Sequence, residues 1–522
     1  LQPLRGRGVG GDIGLLLVGL AVLPQFAGRT LPDTAWLLYA AERWLDGARL
    51  YVDLVEVNPP LIIWLNAIPV LVARALAISP LLVYRLLVVA LVLGSVLASA
   101  RLLRRILGPE ETALRRYLTL LLLFAALTLA RQDFGEREHL MLALTLPYIL
   151  LTALRGPGGA VSGPVAIGAG LGAAVGIGLK PYFALLWLAL ELCLRLETGR
   201  WRRRPSAESV TVVLAGAAYG LAVARYAPEY FTVVRTMAAP YFAFLGNSLP
   251  VTALLGDGAL LPLVALCGFL ALRSSATPDR RPLWGALFAA TLAFYASAVL
   301  QQKGWRYHFY PSMATGIVLL GLQAVDLAGP LRSAAARAYA IVAPAVAGAV
   351  LVVTALGCVR QALDPLNPRY DADPDVGSLI PVVRESAAGN RVLVLSWSMA
   401  SAFPLLTYAG AESASRFNHL WIAGAAYKDQ LAADAPVRYR DRSEMEPLER
   451  FLVDAVVEDF AEARPRLLLV LRPAPDRPEW GLRRLDFLRY FRRDRRFEEV
   501  FRQYRYRSEI GQYWIFDRIP QG

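Results

Sequence analysis

Apolar stretches of roughly 17–22 residues recur along this chain, and each is long enough to cross a ~30 Å hydrocarbon layer as a helix. They lie near 12–28, 80–100, 114–130, 138–154, 163–179, 181–197, 209–227, 250–272, 283–300, 311–328 and 336–358. A chain so built folds in a bilayer, where a helix is the one open segment that satisfies its own backbone. Composition agrees: apolar residues fill 56% of 522 positions and charged ones 19%, at a mean hydropathy of +0.42. Residues 59–78 are also apolar, but Pro59, Pro60, Pro69 and Arg74 interrupt them, which leaves open whether they span fully. Beyond Asp364 the texture becomes that of a water-soluble domain.

Lys and Arg in short loops mark the cytoplasmic side. Arg5, Arg7 and the runs Arg101–Arg116, Arg195–Arg204, Arg273–Arg281 and Arg332–Arg337 share one side if 59–100 makes one net crossing. The chain then crosses about eleven times, with the tail from about 365 outside. Two crossings within 59–100 would invert every later loop. The net charge of +13 comes mostly from the inside loops, so it speaks of topology and not of nucleic acid. Cys193, Cys267 and Cys358 match no metal spacing and form no disulfide framework. Arg5 and Arg7 before an apolar run also suit a secretory signal; an uncleaved first span is preferred, because the segment after it carries the chain's best motif.

With this topology the unusual polar clusters fall on one side: 29–61, "RQDFGEREHL" (131–140), "GLKPYF" (178–183), 225–250 and "QQKGWRYHFYPS" (301–312). Ionisable groups at membrane depth are expensive and line cavities or pair with one another, so their convergence implies a shared pocket. Any one cluster alone also matches an interfacial belt of Trp, Tyr, Lys and Arg. In the first loop Asp33 follows the first span, and 34–46 reads as an amphipathic helix lying along the interface, with Trp36, Leu37, Tyr39, Ala40, Trp44 and Leu45 on one side. Asp33 also suits the helix N-cap. Then "LYVDLVEVNPPL" (50–61) supplies Asp53, Glu56 and Asn58 ahead of a Pro-Pro that starts the next segment.

An acid just after the first span, a loop with interface helices and the run Tyr51-x-Asp53…Asn58-Pro59-Pro60-Leu61 resemble integral-membrane glycosyltransferases of the GT-C class, nearest the bacterial relatives of protein O-mannosyltransferases and the lipid A aminoarabinose transferases. The resemblance covers about the first 330 residues in architecture. It implies Asp33 as catalytic base and Glu56 at the active site. The lipid A transferases carry a lysine where this chain has Val57 or Asn58, which sets lipid A aside as an expected acceptor.

Transfer from a polyprenyl-phosphate sugar needs a carboxylate to take the acceptor's proton and cations to hold the departing phosphate. The cations expected there are Lys180, Lys303 and Arg306, with His308 and Arg137, while Trp305, Tyr307 and Tyr310 line the sugar or the first isoprene units. Snorkelling to headgroups is the plainer role for Lys180 and Lys303. Glu136, Glu138 and His139 are metal-ligand types, so a divalent cation, Mg or Mn, enters as an alternative; bracing of the pocket by an Arg137–carboxylate network is preferred. The segment 225–250, with Tyr226, Tyr230, Phe231, Tyr241 and Phe242, reads as a flap over the donor site or a static interfacial segment.

The tail alternates strand-like and helix-like runs, as in a small α/β domain: 391–396, 399–410, 466–471, 482–494, 497–506 and 512–519. Ser396, Ser398 and His419 form no nucleophile elbow, and His419 is expected to be structural or to touch the acceptor. The expectation is thus a polytopic α-helical membrane protein of GT-C type, with residues 1–360 as the catalytic domain, 29–58 as its first outside loop and 365–522 as an extracytoplasmic α/β domain. The Ala/Arg/Leu-rich composition suggests a high-GC bacterium, hence an inner-membrane enzyme facing the periplasm. Its partners would be a polyprenyl-phosphate-linked sugar, a glycan, lipid or protein acceptor, and membrane lipids. A transporter or flippase of lipid-linked glycans would need charge in both membrane halves and usually an internal repeat, and neither is visible. A non-catalytic glycolipid-binding scaffold is the third class.

Overall fold

A computed structural model describes residues 22–26, 29–156, 158–199, 201, 204–272, 277–327, 334–363, 376–432, 437–474 and 484–520. Most of the first span, with Arg5 and Arg7, lies outside the described residues. The chain divides into two compact units, one of residues 1–29, 71–224 and 247–365, the other of residues 30–70, 225–246 and 366–522.

The first unit is helical. Its centre is built from Arg137–Arg155, Arg281–Leu300 and Arg306–Asp326, which pack on one another and bury residues on every face, as expected of helices apolar all round. Pro80–Ile106 and Gly163–Gly178 pack against Arg137–Arg155, Ala184–Thr198 against Arg281–Leu300, and Leu260–Leu272 against Arg306–Asp326. Outer helices turn leucine, isoleucine and valine outward, as at Leu214, Leu221, Ile341 and Leu356, the pattern of a lipid-facing surface. Among the described residues four helices are long and apolar enough to cross a membrane, Pro80–Ile106, Ala207–Tyr226, Pro278–Leu300 and Arg337–Arg360, or five if Glu229–Phe244 and Leu249–Leu255 count as one broken span. The other apolar stretches form helices that are shorter, such as Leu61–Leu76, Gly163–Gly178 and Leu260–Leu272, or that carry the charged residues discussed below.

Glycine sets the spacing of Gly163–Gly178 from two neighbouring helices. A Cβ on Gly170 would stand 2.6 Å from the carbonyl oxygen of Glu208 at the start of Ala207–Tyr226, and one on Gly172 would stand 2.9 Å from that of Leu144. Close backbone approach through small residues is how membrane helices gain packing energy where lipid removes the hydrophobic drive.

The second unit holds a five-stranded sheet, ordered β2-β1-β3-β5-β4, with β1 Arg391–Leu395, β2 Glu412–Ser413, β3 Leu467–Leu471, β4 Tyr504–Ile510 and β5 Tyr513–Arg518. β1 pairs in parallel with β2 and β3, while β5 joins β3 and β4 antiparallel. β3 is buried along its whole length, as a strand covered on both faces must be. The run expected from 399 to 410 becomes a 3-10 turn at Met399–Ser401 and the helix Leu405–Ala409, and 497–506 divides between the helix Arg495–Phe501 and β4.

The same unit contains the first loop. Its helix runs Pro32–Leu45 and buries Thr34 to Leu38, Ala40 and Ala41, so its apolar side is packed within this unit. The reason is Phe403, whose ring centroid is 5.1 Å from that of Trp36 and 4.9 Å from that of Tyr39.

Candidate functional site

Two constellations carry the expected residues, one in each unit. In the second unit Asp33 stands in the first turn of Pro32–Leu45, whose N-cap is Leu31 without a side-chain cap bond. The N-cap position is therefore not Asp33's. His419 lies within electrostatic reach: burial pushes its imidazole down to about 4, and the Asp33 charge opposes that shift. His419 Nδ1 is 2.9 Å from Asn418 Oδ1; with the nitrogen donating to that oxygen, Nε2 keeps its lone pair.

What brings the two together is a set of bonds between sequence-distant segments. Tyr39 Oη accepts from Ser413 N at 3.0 Å, Arg416 O accepts from Val55 N at 2.8 Å, and Tyr408 Oη accepts from Thr30 N at 3.0 Å. Leu420 N then donates to Ser396 O at 2.9 Å, beyond the carboxyl end of β1. Asp33 and His419 so gather at the carboxyl-end side of the parallel strands, the usual place for ligands in open α/β sheets.

Glu56 is 3% exposed and both of its oxygens are engaged. Oε2 accepts from Trp36 Nε1, and Oε1 accepts from Asn58 N at 2.8 Å and from Asn58 Nδ2. A carboxylate with three donors holds the Pro32–Leu45 helix against the Asn58-Pro59-Pro60 turn. The Glu229–Leu245 helix packs on this loop and on the tail: Tyr230 lies 5.3 Å from Tyr51 and Tyr241 lies 5.2 Å from Trp421, between ring centroids.

The first unit holds the cations. Lys180, extended between Gly163–Gly178 and the turn Pro181–Phe183, donates to Glu138 Oε1 at 2.5 Å and to Gln301 Oε1 at 3.0 Å. His308 Nε2 is 3.8 Å from the same Glu138 oxygen, and Lys180 Nζ stands 5.4 Å over the Tyr307 ring. Arg137, Lys180 and Lys303 all act electrostatically on His308. Arg306 pairs with Asp133 and donates to Leu129 O at 2.8 Å. Burial pushes the Asp133 carboxyl up to about 6 against the pull of Arg306 and Arg131, and it pushes the Lys303 ammonium down to about 8.

The chain breaks its helices to make this possible. Gln302 and Gly304 have φ of 55° and 70°, and Asn247 Nδ2 donates to Lys303 O at 3.2 Å, so the backbone before Arg306–Asp326 is held open. Gly135, at φ 86°, lets the chain pass Tyr84, whose hydroxyl donates to Gly135 O; a Cβ there would meet Tyr84 Cε1 at 2.8 Å. Trp305 remains partly exposed, with its ring 5.7 Å from Tyr307 and 5.5 Å from His308.

The expected metal set does not fit a cation. His139 Nδ1 accepts from Gly135 N at 3.0 Å, so Nε2 carries the proton that goes to Ala126 O at 2.7 Å, and neither nitrogen has a lone pair to give. Among the described residues no three His, Cys, Asp or Glu side chains gather as a metal site. Glu136 and Glu138 are both buried, and Glu138 is committed to Lys180 through one oxygen. Two partnerships that residue patterns did not signal are those of Gln301 with Lys180 and of His419 with Asp33. Neither has a local motif, since each acquires its partner across more than a hundred residues or through a different segment.

Among solved structures, the chain is similar to ArnT from Cupriavidus metallidurans bound to undecaprenyl phosphate, at 12% identity and a TM-score of 0.58 over 98% of each chain. It is also similar to the oligosaccharyltransferase of Archaeoglobus fulgidus in the apo form, at 10% identity and a TM-score of 0.48 over 90% of this chain and 70% of that one. No protein-family model matches the chain, and no curated protein matches it in sequence.

Proposed function

We propose, from the GT-C glycosyltransferase fold that this chain has, that it moves a sugar from a polyprenyl-phosphate donor to an extracytoplasmic acceptor with inversion at the anomeric carbon. The observation that carries this reading is the buried cluster of Lys180, Lys303, Arg137 and His308, with the half-buried Arg306, in one helical unit. A bilayer protein bears the cost of such a cluster only for a partner of opposite charge, and a lipid-borne phosphate is one that meets it at that depth. The ArnT neighbour holds undecaprenyl phosphate, the same class of lipid.

In the proposed reaction the acceptor hydroxyl loses its proton to Asp33. Its oxygen bonds to the anomeric carbon as the bond from that carbon to the phosphate oxygen breaks. The electron pair leaves with the lipid phosphate, whose growing charge the cations hold. Lys180 and Arg306 are already paired with Glu138 and Asp133, so phosphate binding is an exchange of partners within a preformed charge network. Trp305 and Tyr307 line the donor. Glu56 acts through Trp36 and Asn58 by holding the Asp33 helix in place. No step is written through a metal.

Residues 1–360 form the catalytic membrane domain of this proposal, crossing about eleven times, and 365–522 face the periplasm of a bacterial inner membrane. The acceptor is a glycan, a lipid-linked saccharide or a protein. The test is transfer of labelled sugar from a panel of synthetic polyprenyl-phosphate sugars to membrane extract, wild type against Asp33→Asn. Transfer from one donor should fall roughly 10²–10⁴-fold in the variant. Absence of transfer from every donor, with folded protein and intact donor binding, would move the reading to transport or scaffolding.

A further inference from the structure

One end of the sheet in the second unit opens on a cavity of about 470 Å³, within the size range of small-ligand sites. Arg391 and Arg466 reach it from the starts of β1 and β3, Arg518 from the end of β5, and Arg464 from the residue after the Pro447–Ala463 helix. Glu412 is the one carboxylate in the lining; its Oε2 is 3.7 Å from Arg391 Nε and 3.6 Å from Arg43 Nη1. Five residues of β1 separate this end of the sheet from the end near His419, about 16 Å at the rise of a strand. It is therefore a separate site from the Asp33 constellation.

Three observations mark the cavity as built for an anion. Many guanidinium groups of this unit meet carboxylates, as Arg416 does Asp459 and Glu458, Arg440 Glu449, Arg442 Asp454, Arg472 Glu509, Arg492 Glu498 and Arg496 Asp494, and other arginines outside such pairs, among them Arg384 and Arg450, do not line this cavity. Among the described residues Arg464, Arg466 and Arg518 have no such ion pair; Arg518 Nη1 donates only to Arg464 O, at 3.1 Å. Arg464 also holds φ at 40°, a left-handed backbone that suits glycine, so the guanidinium is kept at a conformational cost. Finally, planar guanidinium forks match phosphate and carboxylate oxygens two at a time. A lipid surface would need inserted apolar side chains beside the charges, whereas Ile519 is the only large apolar residue in the lining.

We propose that this cavity binds an acidic saccharide, one bearing carboxylate or phosphate groups, as the anionic part of the acceptor. Calling that saccharide the acceptor rests on the glycosyltransferase reading; the binding itself does not. The test is calorimetric titration of the full chain in phosphatidylcholine nanodiscs, without donor, using trigalacturonate, neutral maltotriose, inorganic phosphate and phosphatidylglycerol vesicles as probes. The expected result is binding of trigalacturonate and not of maltotriose, weakening as salt rises. Arg464→Gly, which relieves the backbone while removing the charge, and Arg466→Gln should each weaken it at least tenfold at unchanged thermal unfolding. No trigalacturonate binding by folded wild type, or binding by both folded variants equal to that of wild type, overturns the proposal. Binding of inorganic phosphate or of phosphatidylglycerol without trigalacturonate also overturns it, in favour of a free phosphate or a lipid headgroup. Because no donor is present, failure here is distinct from failure of the transfer assay.

Discussion

Lys303 is 4% exposed, and burial pushes its ammonium down to about 8. Below that pH the charge proposed to hold the donor phosphate is present, and above it the charge is lost. Donor KM should therefore rise as pH passes about 8 while acceptor KM stays level, and Lys303→Arg, charged to beyond pH ~12, should remove the rise. A rise that survives in the arginine variant sinks the assignment. The linked stability has its own sign. A lysine depressed from 10.5 costs the fold its buried charge below about 8, and stability is regained as pH climbs from there toward the unfolded value. Asp133 works in the other direction: its carboxyl is raised from 3.8 to about 6, so the folded state keeps a proton that the unfolded chain releases. Stability from this group is full below 3.8 and is lost as pH rises through about 6.

At the scale of elements, the first unit depends on helices that approach through glycine. Gly170→Val would drive side-chain atoms into Glu208 O and Thr211, which already stand 2.6 Å and 2.8 Å from the position of a Cβ. Since overpacking costs typically 1–3 kcal/mol, the variant should lower the unfolding temperature in detergent. It should also loosen Gly163–Gly178 from Ala207–Tyr226, read by crosslinking of introduced cysteine pairs. Gly168→Val, at a position where a Cβ would meet nothing within 4 Å, is the control, and equal effects from both would show that propensity and not packing is at work. Part of this level was legible in advance: Lys303 and Arg306 stood out as charged residues between apolar runs, and the structure buries the first and pairs the second with Asp133. The pairings were not, because Lys180 meets Glu138 and Gln301 over 42 and 121 positions, and no local pattern encodes such a separation. The Pro32–Leu45 helix shows the same limit: its period predicts amphipathicity, but that its apolar side meets Phe403, far along the chain, is decided by the tertiary structure.

At the scale of the whole molecule, the first loop belongs to the same compact unit as the tail, held by Tyr39–Ser413, Val55–Arg416 and Thr30–Tyr408. A chain ending at 375 should still insert in membranes, since the helices of the other unit lie before that point. It should lose transfer activity, and residues 29–58 should become sensitive to protease added from outside, as limited proteolysis with mass spectrometry would show. Protection of that loop in the truncated protein would mean that it folds on its own.

The sequence by itself determined that this chain has the apolar segments of a multi-pass membrane protein and which ionisable residues are costly among them. Those are properties of hydrophobic length and of transfer energy, which act residue by residue along the chain. Tertiary structure alone decided that Glu56 is tied to Trp36 and Asn58, that His139 spends both nitrogens on backbone groups, and that His419 comes to Asp33. It also decided that Arg464, Arg466 and Arg518 share a cavity with Arg391 and its partner Glu412. Hydrogen bonds and ion pairs act over a few ångströms, and which groups come that close is set by how the helices and the sheet pack.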